Sequence, residues 1–460
     1  MKKWFSLFSF LLAMLPVVAQ DFVGTWKGDL DVMGQKLPLV FNIDNKDSGY
    51  TSTIDSPMQG AMGIPVDKTT VNNNEITLVQ IALNAEFKGR IIDGKLSGNF
   101  VQNGFSIPLV LSKTSKESVQ LNRPQTPKPP FDYATEEVSI INSKEGNRLA
   151  GTLVLPYKMT NTTPIVVMIT GSGAQNRNEE ILGHQPFWVL ADYLAKNGVA
   201  SLRLDDRGVG ESEKGKDDAT SQDFATDISS AVDYLSKKGY KNIGLLGHSE
   251  GGMIAPMVAV DNKNVKFMVL LAAPGVPISE LMVQQNEEIG KLAGLPEQLL
   301  AENRKTNTDI YNFIINYNGN NLSQELATFI KNKLKESAHG QLTEKQLTNQ
   351  AEEQAKVLSS PWFVYFLKFV PANYLSRVKV PTLALNGSLD RQVTAKENLS
   401  GIKKSFEKAR NKNFEIKEMA GLNHLFQTAT TGNPSEYGQI EETLSPKVLE
   451  VISQWIGRLK

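Results

Sequence analysis

The sequence predicts a mainly parallel α/β domain, interrupted by a helical insertion and preceded by a smaller all-β domain, an antiparallel barrel or sandwich. Three observations carry this reading. Short runs of alternating apolar and polar residues, separated by turn residues, fill 21–121. A proline cluster then breaks the chain, and beyond it strand-like apolar runs alternate with stretches of helical spacing. At about 150 residues per domain, 460 residues suit two or three domains with ample material for a buried core.

The chain begins with a stretch unlike the rest. Lys2 and Lys3 give a positive start, 4–18 is mostly apolar, and Val17-Val18-Ala19 places small residues where a signal peptidase reads. The apolar run is short against the about 20 residues a membrane-spanning helix needs. A signal peptide over 1–19 is the expectation, with a mature chain starting near Gln20 and working outside the cytoplasm, secreted or periplasmic. No cysteine follows the apolar run, which excludes a lipoprotein form, so no stable membrane anchor is expected after cleavage.

In the expected β domain, 20–121, strands are predicted at 37–43, 76–83, 87–92, 96–101 and 106–111. Asp93-Gly94 and Asn103-Gly104 favour tight hairpins because both residue types tolerate positive φ. The region holds no histidine and no catalytic cluster, which leaves a binding, shielding or dimerising role beside a purely structural one. Pro124, Pro127, Pro129 and Pro130 cannot continue a helix or a central strand, so 122–133 reads as an extended linker.

The α/β domain is expected over 134–460. Strands are predicted at 138–141, 149–155, 165–169, 199–204, 243–246 and 267–271; the unbroken apolar run 165–169 suits a strand buried on both faces. A helix is predicted at 186–196, and Phe224, Ile228, Val232 and Leu235 recur at helical spacing. Between 276 and 379 the alternation lapses into a mostly helical pattern rich in Asn, Gln, Lys and Glu. An insertion just beyond a strand's C-terminal end sits over the ligand crevice of such sheets, so it is read as a cap. A strand at 382–385, a helix at 396–404, a strand at 414–418 and a helix at 446–459 complete the domain.

Composition narrows the chemistry. With 49 basic and 49 acidic side chains there is no surplus charge for phosphate, and no nucleic-acid partner is expected. The absence of cysteine excludes disulfides, thiolate nucleophiles and thiolate metal sites. Four histidines and no H-E-x-x-H pattern argue against a catalytic zinc, and no metal or organic cofactor is expected. The run from Gly210 to Lys216 has the spacing of a phosphate loop, but Asp217 replaces the required Ser or Thr and two glutamates inside it would repel phosphate.

Gly247-His248-Ser249-Glu250-Gly251 matches G-x-S-x-G between a predicted strand and a helix. A serine at such a turn is held exposed in a strained backbone that the flanking glycines permit. Ser249 is the expected nucleophile. Pro256 falls inside the following helix and is expected to kink or distort it. A serine hydroxyl needs a base. His184 precedes the first large helix, alternation along the strand points His248 away from Ser249, and His339 lies in the insertion. His424, in the loop after strand 414–418, fits the chain order serine, acid, histidine, and Asp390 at the end of strand 382–385 supplies the acid. Its role is to orient the imidazole and stabilise its protonated form. Asp205 and Asp206 precede the serine and are read as fixing the 207–212 loop. The oxyanion hole is assigned to the backbone amides of Glu250, which follows the nucleophile, and Ser172, in the loop after strand 165–169; Gly173 is the fallback.

Gly171-Ser172-Gly173-Ala174-Gln175-Asn176-Arg177-Asn178-Glu179, Asp205-Asp206-Arg207-Gly208-Val209-Gly210 and the 247–252 motif together resemble the α/β-hydrolase superfamily. More narrowly, they are similar to a bacterial branch of secreted esterases often grouped with serine aminopeptidase-type hydrolases. The resemblance covers 136–460, about 70% of the chain. It implies an α/β-hydrolase fold with an eight-stranded core and a helical cap, and hydrolysis of small esters through an acyl-enzyme. Matched motif by motif, it implies the triad Ser249, Asp390 and His424. The chain departs from the branch's pattern at Ala174 and Asn176, where Pro and Asp are frequent, which bears on that loop's hydrogen bonding. The aromatic run 362–370 suits either a wall of an acyl pocket or, the favoured reading, a helix packed on the sheet.

The expectation is therefore an exported serine hydrolase cleaving small carboxylic esters of short acyl chains. A peptidase-type amide hydrolase on the same triad is the alternative, and it would need a buried anion facing Ser249 to receive a substrate ammonium. A non-catalytic binding protein is the remote alternative. The sequence leaves the oligomeric state open.

Overall fold

The computed structural model describes residues 21–32, 35–46, 49–56, 61–72, 74–102, 105–115, 122–337 and 342–459. The expected signal peptide 1–19, Gln20, the Asn103-Gly104 pair and His339 lie outside the described residues. The chain divides into two units, Met1–Leu121 and Asn122–Lys460.

In the first unit, β1 (Gly24–Val32), β2 (Gln35–Lys46), β3 (Gly49–Ser56), β4 (Ala61–Pro65), β5 (Lys68–Asn72), β6 (Glu75–Gln80), β7 (Ala85–Ile92), β8 (Lys95–Gln102) and β9 (Phe105–Thr114) form one antiparallel sheet. Its order is β4-β3-β2-β1-β9-β8-β7-β6-β5. Alternation sorts the faces: in β7, Ala85 and Phe87 are buried while Glu86, Lys88 and Arg90 are exposed. Asp93 and Gly94 both take positive φ, +49° and +76°, the geometry a two-residue hairpin requires. The sheet curls until its ends meet. The Val66 N–H donates to Ser52 O at 3.0 Å, and the Ser52 and Thr69 hydroxyls lie 2.6 Å apart. The curled sheet encloses one core built on Phe22, Trp26, Phe41 and Phe87, so of the two predicted architectures the barrel-like one forms and the sandwich does not.

In the second unit, β10 (Ala134–Ile141), β11 (Arg148–Leu155), β12 (Ile165–Ile169), β13 (Ala200–Leu204), β14 (Ile243–His248), β15 (Val265–Leu271), β16 (Thr382–Gly387) and β17 (Phe414–Met419) form an eight-stranded sheet. The order is β10-β11-β13-β12-β14-β15-β16-β17, antiparallel up to β13 and parallel beyond. Every residue of β12, β13 and β14 is buried, because helices cover both faces. On one face, α1 (Pro186–Lys196) and α11 (Pro446–Gly457) pack Leu190, Leu194, Ile452 and Trp455. On the other, α2 (Ser221–Lys237), α3 (Glu250–Asp261) and α10 (Ala395–Lys408) pack Val232, Leu235, Ile254, Met257 and Ile402. Among the described residues no helix is long and apolar enough to cross a membrane.

The helix expected after the nucleophile forms, with Pro256 inside it. α3 runs from Glu250 to Asp261 without a break. Met253, Ile254, Ala255, Met257 and Val258 are all buried, so packing from several sides holds the turn that the proline cannot hydrogen-bond. The linker residues lie against this unit rather than free: the Gln125 side chain donates to Leu444 O and accepts from the Leu444 N–H, and Arg123 donates to the Leu182 and Gly438 carbonyls.

The insertion between β15 and β16 is helical, as α4 (Ile278–Leu292), α5 (Glu297–Asn316), α6 (Leu322–Ser337), α7 (Glu344–Leu358), α8 (Pro361–Leu367) and α9 (Ala372–Leu375). It has its own core of Ile310, Ile314, Leu326, Ile330, Phe363 and Leu367. α8 ties it to the sheet, because Phe366 on the same helix belongs to the main core.

Candidate active site

The site forms where β14 turns into α3. Ser249 occupies that one-residue turn at φ +53° and ψ −116°, a conformation a side chain adopts only under constraint. The constraint comes from close backbone approaches that only glycine allows. A Cβ at Gly247 would lie 2.1 Å from Gly251 O, and one at Gly251 would lie 2.1 Å from Ile169 O. The Ser249 N–H is tied to Leu271 O at 2.9 Å, fixing the turn against β15.

Asp390 follows the end of β16. Its Oδ1 accepts from the backbone N–H groups of Gln392 and Val393, at 2.9 and 2.8 Å, while Oδ2 faces His424 Nδ1 at 2.8 Å. Both side chains are buried. The His424 loop is shaped by Asn423, whose Oδ1 accepts from the N–H groups of Leu425 and Gln427. Leu389 N–H donates to Leu422 O at 2.9 Å, so the acid loop and the histidine loop are locked together. Asp390 spends one oxygen on backbone amides and the other on the imidazole, an arrangement that favours a proton on Nδ1 and leaves Nε2 without a hydrogen-bond partner among the described residues. Ser249 and His424 line one chamber of about 280 Å³, together with Ser172, Glu250 and Trp362.

Both residues assigned to the oxyanion, Ser172 and Glu250, line this chamber. Glu250 is the first residue of α3, where an N–H has no intrahelical acceptor. In the β12 loop the Gly171 N–H is already engaged, donating to Glu179 Oε1 at 2.7 Å, and Ser172 is the next amide along. The N-terminus of α3 adds a favourable field for negative charge developing beside Ser249.

Three groups in the site escaped the sequence reading. His248 does not point away: strand alternation ends at the Ser249 turn, and the His248 ring centroid lies 4.9 Å from that of His424. His248 Nδ1 is 2.9 Å from Glu179 Oε1, and Nε2 is 3.0 Å from His424 O. Both partners are acceptors only, so both ring nitrogens must carry protons to satisfy them. Burial alone would push the His248 pKa down, but the Glu179 carboxylate and the His424 carbonyl carry it above the ordinary imidazole value. Glu179 is the second such group, buried at the end of the 171–179 motif. The third is the Glu250 side chain, whose Oε1 accepts from Ser221 Oγ at 2.6 Å and from Trp362 Nε1 at 3.0 Å. Burial raises the Glu250 carboxyl above its usual range, against hydrogen bonds from Ser221, Trp362 and Ser172. The signal that could have found Glu179 was its place in a motif rich in small residues, where a buried glutamate needs a partner.

The remaining candidates have other partners. His184 is buried with Nδ1 2.8 Å from Thr443 Oγ1 and Nε2 3.0 Å from Tyr437 O; burial and Arg123 lower its pKa to about 4. Asp205 fixes the loop it precedes: it accepts from the Glu211 N–H and pairs with Arg177. Asp206 instead receives Thr170 Oγ1 and the Gln175 N–H, bracing the loop that carries Ser172. Trp362, Phe363 and Phe366 of the aromatic run pack in the cores, the favoured reading of that run, and also line the chamber.

A family model described as serine aminopeptidase, S33, matches residues 185–428. Esterase EstD of Thermotoga maritima is 26% identical over 317 residues, spanning 67% of this chain and 66% of its own. Among solved structures, an esterase of Pyrococcus furiosus, 18% identical, covers 74% of this chain and 99% of its own with a TM-score of 0.42. An esterase of Exiguobacterium antarcticum, 16% identical, covers 69% of this chain and 99% of its own with a TM-score of 0.41.

Proposed function

The chain belongs to the serine aminopeptidase S33 family of α/β hydrolases, and from that premise we propose that it is an exported esterase that cleaves small carboxylic esters through an acyl-enzyme on Ser249. The observation that carries the reading is the buried Asp390–His424 pair, 2.8 Å apart, facing the chamber that the strained Ser249 turn also lines. Ser249 Oγ attacks the ester carbonyl while His424 Nε2 takes its proton. The oxyanion of the tetrahedral intermediate is received by the amides of Glu250 and Ser172. His424 then protonates the leaving alcohol, and the C–O bond breaks to give the acyl-serine. A water deprotonated by His424 attacks that ester in turn, releasing the carboxylic acid and restoring Ser249.

The choice of ester over aminoacyl amide rests on the carboxylates around the chamber. An aminopeptidase needs an anion offered to the substrate's ammonium. Glu179 and Glu250 line the chamber, but Glu179 is paired with His248 and the Gly171 N–H. Glu250 is held by Ser221 and Trp362 without a cationic partner among the described residues. Burial raises its carboxyl toward the neutral form, which offers an ammonium no anion. Export is supported by the Lys2-Lys3 start, the apolar run and Val17-Val18-Ala19, and N-terminal sequencing of the exported protein should begin at Gln20.

The test is turnover of p-nitrophenyl acetate and butyrate against aminoacyl p-nitroanilides, with wild type and Ser249→Ala. Short esters should turn over, and the variant should lose roughly a thousandfold or more in kcat. Preference for the anilides would move the chain to the peptidase reading. Failure of both substrates and of fluorophosphonate labelling at Ser249 would remove catalysis altogether.

A further inference from the structure

A second cavity, of about 300 Å³, lies beside the catalytic chamber, and no step of the proposed reaction uses it. Ile169 and Leu204 at the ends of β12 and β13, Phe224 and Ile228 on α2, and Ile254 on α3 form its apolar wall. Two carboxyls in that wall, Asp206 and Glu250, have no cationic partner among the described residues. Asp206 accepts from Thr170 Oγ1 and the Gln175 N–H, and Glu250 from Ser221 and Trp362. Burial raises both above the usual carboxylate range, Asp206 to about 7. The other charged residues are ion-paired. Asp205 pairs with Arg177, and Arg207 pairs with Asp227 and Glu145. A cavity of this size and lining suits an aliphatic group.

Its position says which part of an ester that group is. The leaving oxygen must lie next to His424, which protonates it, so the acyl substituent extends from the carbonyl carbon on the side away from His424. The second cavity touches neither His424 nor any other residue after Trp362. It shares Gly171, Glu250 and Trp362 with the chamber, and these stand at the oxyanion side. Trp362 lines both spaces, its indole N–H donating to Glu250 Oε1 at 3.0 Å.

We propose that this cavity is the acyl-chain pocket, that it takes a linear aliphatic chain longer than acetyl, and that Trp362 is its gate. The inference rests on the esterase reading and deepens it by naming the substrate class: esters of medium-length fatty acids. A chain entering the pocket displaces the indole from Glu250, whose carboxyl keeps the Ser221 hydrogen bond and so stays satisfied. Each methylene that enters contributes about three- to fourfold in kcat/KM, because it leaves water for apolar surroundings.

The experiment is a p-nitrophenyl ester series, acetate, butyrate, hexanoate and octanoate, on the full mature chain. In wild type, kcat/KM should climb from acetate to hexanoate. Ala219→Trp, placed in a partly exposed loop that lines the cavity, should fill it and lower the hexanoate-to-acetate ratio tenfold or more. Trp362→Ala should open the gate, shift the optimum toward octanoate and raise that same ratio. Fluorophosphonate labelling of Ser249 shows that each variant is folded. A ratio unchanged by both labelled variants, or a wild type that prefers acetate throughout, overturns the pocket while leaving the esterase intact. A wild type that hydrolyses no ester at all overturns both readings, and the acetate arm tells the two failures apart.

Discussion

Two histidine–carboxylate pairs lie side by side in this protein, Asp390–His424 at 2.8 Å and Glu179–His248 at 2.9 Å, with their rings 4.9 Å apart. Both are buried, and both acids also accept backbone N–H groups. They differ at the far nitrogen. His248 Nε2 is occupied by His424 O, whereas no hydrogen bond among the described residues engages His424 Nε2. The first arrangement meets both ring nitrogens with acceptors and favours the protonated ring; the second leaves one nitrogen unengaged, the one to which the proposed reaction assigns the proton transfer. A histidine beside a carboxylate is therefore no mark of catalysis by itself. What the second nitrogen meets decides whether the pair acts on substrate or holds the fold.

The sharpest way to break that comparison is to exchange the acids' roles. Asp390→Asn offers an amide N–H₂ or a weaker acceptor to His424 Nδ1, favours the wrong tautomer, and should lower kcat on p-nitrophenyl butyrate by about ten-thousandfold with little change in KM. Glu179→Gln should act more weakly, because His424 keeps its own acid. The charge-assisted bond to His248 is lost, and with it the brace between the Gly171 loop and the His424 loop, for an expected tenfold to hundredfold fall in kcat/KM at about 1.5–3 kcal/mol. Two further readouts separate this from a general loss of fold. With four histidines in the chain, ring ¹⁵N spectra can report His248 directly, doubly protonated at neutral pH in wild type and singly protonated in Glu179→Gln. The linkage also has a sign. The His248 pKa is raised on folding, so its contribution to stability is complete below the ordinary imidazole pKa near 6.5 and fades as pH rises through the folded value. The Tm gap between wild type and Glu179→Gln should therefore be widest at pH 6 and narrow toward alkaline pH. A gap that widened instead would mean His248 is neutral and the two pairs are alike.

The two pairs also show what a sequence can disclose. The turn that carries Ser249 was legible because a local pattern, strand then G-x-S-x-G then helix, encodes it, and Asp390 and His424 were expected from chain order and strand ends. The structure brings Asp390 and His424 together and sets Ser249 on the same chamber. Glu179–His248 was not legible, because 69 positions separate its members and alternation along β14 argued that His248 faced elsewhere. The same holds for the fold. The strands of the α/β sheet appear as apolar runs, since burial on both faces writes itself into each segment. The curling of the β domain brings Ser52 of β3 to Val66 and to Thr69 of β5, a strand distant from β3 in the sheet order, contacts that no single segment encodes. Pro256, expected to kink or distort α3, lies within an assigned helical span whose residues from Met253 to Val258 are all buried.

Glu250 supplies the smallest test, and it bears on whether the comparison is complete. It is a third buried carboxyl at the chamber, with no cationic partner, and burial raises its pKa against the hydrogen bonds it receives. If only Asp390 and Glu179 act through charge, Glu250 should be replaceable by its neutral isostere. In Glu250→Gln the side-chain oxygen still accepts from Ser221 and Trp362, and the new N–H₂ can donate to the Ser172 hydroxyl. Ester turnover should stay within about threefold, since each neutral hydrogen bond kept or lost weighs about 1 kcal/mol or less. Stability should respond to pH instead. A carboxyl whose pKa is raised on folding loses its contribution as pH rises through the folded value, so wild type should fall behind Glu250→Gln between pH 5 and pH 8, by about 2–4 °C in Tm for each kcal/mol. A hundredfold loss of esterase activity at unchanged Tm would instead place the Glu250 charge in the reaction, and two pairs would no longer account for the site.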